Sequence, residues 1–216
     1  MNKQTSLAVT LATLLLPALL GGCSLIGSPK DSPTIYAPDP QVAADPAWPS
    51  VSWQLSTARP TAPRMMDSLR IAVSPVPGEL QVYKNATWAR TPTEMLEDGV
   101  LRALEDSGKI PAIARQGSGI GADYRLVMDL RRFQADYAGG AVPSAVIEVN
   151  VKLLHTIEQS VVGSHTFRHA EPATGTEVGL VAEAFTRALG ATTHDIAGWT
   201  LTTGQGHERV HHVDKR

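Results

Sequence analysis

Ile147-Glu148-Val149-Asn150-Val151-Lys152-Leu153 places an apolar side chain at every second position, with polar Glu148, Asn150 and Lys152 between them. Side chains of an extended chain alternate between two faces, so the stretch predicts a strand with one dry and one wet side. Val161 to His169 follows through Glu158-Gln159-Ser160, which predicts a hairpin partner. Upstream, Tyr124, Leu126, Met128 and Leu130 share a face before the phase shifts at Phe133, placing a bulge around Arg131-Arg132. Leu69 to Val73 and Leu80 to Tyr83 also alternate, and Val51 to Leu55 is a possible first strand. Polar alternation on the later strands favours an antiparallel sheet with one covered face.

Two amphipathic helices supply the cover. Thr91-Pro92-Thr93-Glu94 reads as a capping box with proline in the first turn. Leu96, Val100 and Leu104 then recur every four residues, and Gly108 is placed to end the helix. The second helix opens near Thr174-Gly175-Thr176-Glu177. It carries Val178, Val181, Phe185, Leu189, Thr192, Ile196 and Trp199 at spacings of three and four, ending near Gly204. The expected fold is α+β, a two-layer sandwich of a mainly antiparallel sheet covered on one face by two helices.

The amino-terminal segment carries a different signal. Lys3 gives a positive start, Leu7 to Leu20 is apolar but too short to span a membrane, and Leu20-Gly21-Gly22-Cys23 closes the stretch. Leu-Gly-Gly-Cys resembles the bacterial lipobox, so residues 1–22 are expected to be a lipoprotein signal peptide. Cys23 is then the lipidation site, carrying a diacylglycerol and an N-acyl chain. Two or more acyl chains give stable anchoring where one is marginal. Ser24 rather than Asp after the cysteine resembles a Gram-negative outer-membrane address. Residues 23–49 then read as a lipidated, proline-rich tether, 50–204 as the domain and 205–216 as a polar, disordered tail. The domain start is open between Ser50 and Leu69.

Composition narrows the chemistry. In 216 residues, 19 Lys+Arg against 21 Asp+Glu give a formal net charge of -2, without the basic face that phosphate neutralisation requires. One cysteine excludes an internal disulfide framework and a multi-cysteine zinc site. Of seven histidines, His165 and His169 fall on a strand while His207, His211 and His212 fall in the tail, and no His-Glu-x-x-His string accompanies them. No metal site is expected. Gly117-Ser118-Gly119-Ile120-Gly121 precedes a strand rather than a helix, so it reads as a loop and not a phosphate cradle. Glu94, Glu97, Asp98 and Glu105 read as a solvated helix face, no Gly-x-Ser-x-Gly elbow occurs, and no enzyme is expected. Trp53, Tyr83, Trp88 and Trp199 either fill the core or, for Tyr83 and Trp88, line a surface for an apolar partner or lipid.

Several segments together resemble the ABC-type transport auxiliary lipoproteins, which include the paraquat-inducible protein C group. They are Asp67 to Pro75, Val82 to Ala89, Leu104 to Gly108, Ala122 to Leu126, Asp129 to Phe133, Ala184 to Leu189 and Ile196 to Trp199. The likeness runs from about Trp53 to Leu201 and includes the lipobox. It implies a non-enzymatic accessory subunit of an MCE-type (mammalian-cell-entry-type) ABC system moving lipid between membranes, with permease and ATPase on separate chains. Such a subunit would sit on the periplasmic face of the outer membrane and dock the MCE substrate-binding protein. It would need no cofactor beyond its covalent lipid, and it could form a homo-oligomer. The alternative is a carrier lipoprotein that itself holds a hydrophobic ligand between sheet and helices.

Overall fold

A computed structural model describes residues 32–119 and 121–214, with side chains as far as 210. Cys23 and the expected signal peptide lie outside the described residues. The compact unit begins at Pro33. It contains β1 (Thr34–Tyr36), β2 (Leu55–Thr57), β3 (Arg70–Ser74), β4 (Gln81–Trp88), α1 (Pro92–Ser107), β5 (Ile113–Arg115), β6 (Tyr124–Asp136), β7 (Ser144–His155), β8 (Ser160–Pro172) and α2 (Val178–Asp214).

The deciding strand behaves as its alternation requires. β7 buries Ile147, Val149, Val151 and Leu153, and pairs antiparallel with both β6 and β8 along its length. The β6–β7 register shifts between Leu130 and Arg132, where the apolar phase changes. On the polar face, Glu148 faces Arg132 at 3.7 Å and Arg168 at 3.9 Å, and Asn150 donates to Thr166 Oγ1 at 2.9 Å.

The other edge of β6 departs from a plain antiparallel sandwich. β2 runs parallel to the start of β6, β3 runs parallel to its end, and Thr61 bridges Asp129 between them. From these branches β5 and β1 continue the sheet, again in parallel pairs, while β3 and β4 are antiparallel. The fold is α+β, but its sheet is mixed and curled. Thirteen residues of β6 offer more edge than any one short neighbour can fill, and two strands, β2 of three residues and β3 of five, share it.

α1 is bounded by its capping chemistry. Glu94 N–H donates to Thr91 Oγ1, Thr91 N–H donates to the Glu94 carboxylate, and Gly108 closes the helix at φ 61°. α2 does not stop near Gly204. It runs to Asp214, about 55 Å of helix, so residues 205–214 are helical rather than a disordered tail. Gly204 is a notch and not a terminator: a Cβ there would run into the Trp53 ring. Where α2 crosses α1, a Cβ on Gly99 would lie 2.6 Å from Thr193 Cγ2, so glycine permits the close approach. The buried hydroxyls of Thr192, Thr193 and Thr200 donate back to the carbonyls of Ala188, Leu189 and Ile196, so all three are satisfied within the helix.

The segment expected to be a tether is folded from Thr34 onward. β1 pairs with β4, and the residues after it seat in order on glycines of α2. Pro40 lies against Gly190, Trp48 against Gly198 and Trp53 against Gly204. Proline removes donors and stiffens the chain, which suits a strap crossing a helix as well as it suits a spacer. Trp48 and Trp53 are both buried by this packing.

Candidate functional site

β4 carries the two aromatic contact candidates and separates them. Trp88 is 1% exposed and meets Phe133 and Phe185 edge-on at 5.9 and 5.1 Å. It is a core residue and not a partner-facing one. Tyr83 is only partly buried, packed at the margin of the core. Between them β4 bulges: Arg70 and Ala72 of β3 pair with Thr87 and Val82, and Asn85 sits at φ 54°. Five residues apart, the two rings already belong to opposite faces of a regular strand, and the structure buries Trp88 while leaving Tyr83 at the margin. Burial, then the neighbouring Tyr137 phenol, raises the Tyr83 pKa well above the usual phenol range.

Charged side chains gather along α1 instead. Asp98 is ion-paired with both Arg90 and Arg115. Glu97 is buried, accepts from Thr57 Oγ1 at 2.9 Å and faces Arg115 Nε at 3.5 Å, while Arg102 is paired with Asp39. Two open clefts, about 930 and 510 Å³, share Arg90, Asp98 and Arg115 as a common wall. Glu97 and Asp98 therefore do not belong to a solvated face. Their partners come from the loop before α1, from β2 and from β5, and no local spacing in the sequence announces that convergence.

A second polar cluster joins the end of β7, the β7–β8 turn and the last turns of α2. The buried Tyr124 hydroxyl donates to Glu208 Oε1 at 2.7 Å and lies 2.7 Å from His207 Nδ1. Burial, then the hydrogen bond to Glu208, raises the Tyr124 pKa far above the usual range, so the phenol stays protonated. The ring of His155 stacks obliquely 5.1 Å from both Tyr124 and His207, and Glu158 approaches both histidines. Sequence alone places His207 in a polar tail; the continued helix sets it against Tyr124 of the sheet. His165 and His169 do lie on β8, where His169 Nε2 is 3.1 Å from Asp195 of α2. The side chains of His211 and His212 lie outside the described residues.

Among the described residues no helix is long and apolar enough to cross a membrane. The family model for the ABC-type transport auxiliary lipoprotein component matches residues 34–197. Protein XCC0632 from Xanthomonas campestris is 55% identical and superposes with a TM-score of 0.79, covering 82% of this chain and 99% of its own. A structure of an uncharacterised protein shares the fold at 13% identity and a TM-score of 0.59, covering 77% of this chain and 97% of its own. No curated protein matches the chain. The start of the matched region coincides with β1, in agreement with a domain that includes the strap. The chain belongs to the ABC-type transport auxiliary lipoprotein component family.

Proposed function

We propose that the chain is a non-enzymatic docking subunit of an MCE-type ABC transport system. Acylated at Cys23, it would be anchored at the periplasmic face of the outer membrane and would seat the MCE substrate-binding component during lipid transfer between the membranes. Family membership supports the transport assignment. The observation that favours docking over carrying is the filling between sheet and helices. Trp88, Phe133 and Phe185 stack in the space where a carried lipid would have to lie, each at most 1% exposed. Close-packed interiors do not admit an acyl chain without displacing side chains. The clefts beside α1 are walled by ion pairs, which suit a protein surface better than a hydrocarbon tail.

The test is affinity capture of the lipidated full-length chain from membranes in mild detergent. Recovery of an MCE-domain protein with its permease and ATPase is the expected result. Mass spectrometry on the same preparation reads the alternative. Stoichiometric non-covalent lipid, with no MCE protein across repeated captures, would replace docking by carriage.

A further inference from the structure

Three side chains that fall far apart in sequence meet beyond the end of the β7–β8 hairpin. His155 ends β7, Glu158 lies in the following turn, and His207 projects from the last turns of α2. One ligand atom from each lies within 4.8 Å of the others. His155 Nδ1 is 3.5 Å from Glu158 Oε2, and His207 Nε2 is 4.0 Å from that same oxygen. A tetrahedral zinc ion with bonds of about 2.0–2.2 Å holds its ligand atoms about 3.3–3.6 Å apart. One edge already has that length, and the others require contraction that side-chain rotation can supply.

The surroundings favour coordination in two further ways. The histidine side chains are 12% and 17% exposed while Glu158 is 41% exposed, so two imidazoles are positioned by packing and the carboxylate side stays open to water. His207 is also oriented from behind. Because the Tyr124 hydroxyl gives its proton to Glu208, its oxygen accepts from His207 Nδ1–H, and in the neutral imidazole that a metal binds Nε2 is then the lone-pair nitrogen on the Glu158 side. A hydrogen-bonded outer partner that fixes the histidine tautomer is the usual support of a metal-bound imidazole. Two imidazoles and one carboxylate match zinc and its transition-metal neighbours, whereas calcium and magnesium prefer oxygen alone.

We propose that His155, Glu158 and His207 form a zinc-class metal site, supported by Tyr124, that fastens the hairpin turn to the carboxy-terminal turns of α2. The fourth position faces solvent beside Glu158 and would hold water or a side chain from a docking partner. The inference is independent of the docking reading, because it is read on the chain alone.

The test uses the lipidated full-length chain in detergent, stripped with a chelator and titrated with zinc chloride against a competing chromophoric chelator. One zinc per chain is expected. Glu158→Gln, at a half-exposed turn position, should weaken binding more than tenfold with an unchanged circular dichroism spectrum, and His207→Gln should abolish it. Tyr124→Phe should weaken it about 10–100-fold, as loss of an outer partner does elsewhere. Cobalt in place of zinc should give the visible absorption of a tetrahedral ion. Changing His211 and His212 together to Gln should alter nothing. Absence of zinc binding, persistence of full affinity in Glu158→Gln, or loss of binding in the His211/His212 variant would overturn the site, the last outcome by showing chelation by the helix end only.

Discussion

Gly204 and Gly206 are two residues apart in α2, and alanine should act on them with opposite signs. A Cβ at Gly206 meets no atom within 4 Å, whereas one at Gly204 would run into Cζ2 of Trp53, with other ring atoms at 3.0 Å. Replacing glycine by alanine in a helix interior contributes about 1 kcal/mol from backbone entropy alone. Gly206→Ala should therefore stabilise by about 0.5–1 kcal/mol. At Gly204 the same gain is opposed by overpacking, which costs about 1–3 kcal/mol where side chains must leave their rotamers, and more where a ring must be displaced. A net loss of about 1–2 kcal/mol follows, so the two variants should differ by about 2–3 kcal/mol. With a urea m-value of about 2 kcal/mol/M, the denaturation midpoints should separate by about 1–1.5 M on either side of the parent. Equilibrium urea unfolding followed by far-ultraviolet circular dichroism measures this without relying on Trp53 as the probe. A Gly204→Ala protein as stable as Gly206→Ala would mean that Trp53 does not seat on α2, and the strap would have to be given up as an integral layer of the fold.

Trp88→Ala should cost about 3–5 kcal/mol, the range for emptying a fully buried large aromatic site, with the loss read by urea unfolding. A near-parental midpoint accompanied by lost partner capture would return Trp88 to the surface. At alkaline pH the two raised phenols set the direction. Tyr83 and Tyr124 hold their protons more tightly in the folded protein than in the unfolded chain, so stability is complete below about pH 10 and falls as pH rises through the ordinary phenol pKa. Tyr83→Phe and Tyr124→Phe should each flatten that fall in the unfolding midpoint, and an unchanged alkaline slope in both would count against buried phenols as its source.

Local signals were legible in the sequence because each is complete within one short segment. The alternation of Ile147 to Leu153, the phase change at Arg131-Arg132 and the Thr91–Glu94 box each contain their own cause, and each element stands where those residues require. Features created by distant partners were not legible. The strands Thr34–Tyr36 and Ile113–Arg115 are three residues long, too short for periodicity to show, and exist because an edge is available to pair with. Gly204 carries the composition of a helix stop, and only Trp53, some 150 residues upstream, turns it into a packing notch. Proline-rich sequence reports stiffness but not whether the stiff segment is seated. Glu97 looked solvated until Thr57 and Arg115 arrived from other strands, and His207 became a candidate ligand once α2 continued past its glycines.

The charged groove also constrains how a partner could be recognised. Its two clefts are lined by four arginines and five carboxylates, and the most central of these, Asp98, is already held by two of the arginines. Charges that neutralise one another leave little net field to steer a partner from a distance, so long-range attraction cannot be the main source of selectivity there. What remains is short-range: fixed guanidinium and carboxylate groups that a complementary surface must match in position, at the cost of desolvating pairs that already satisfy each other. Docking at this groove would therefore show an association rate that responds weakly to salt, and specificity expressed in dissociation. A strongly salt-dependent on-rate would place the contact on another face of the domain.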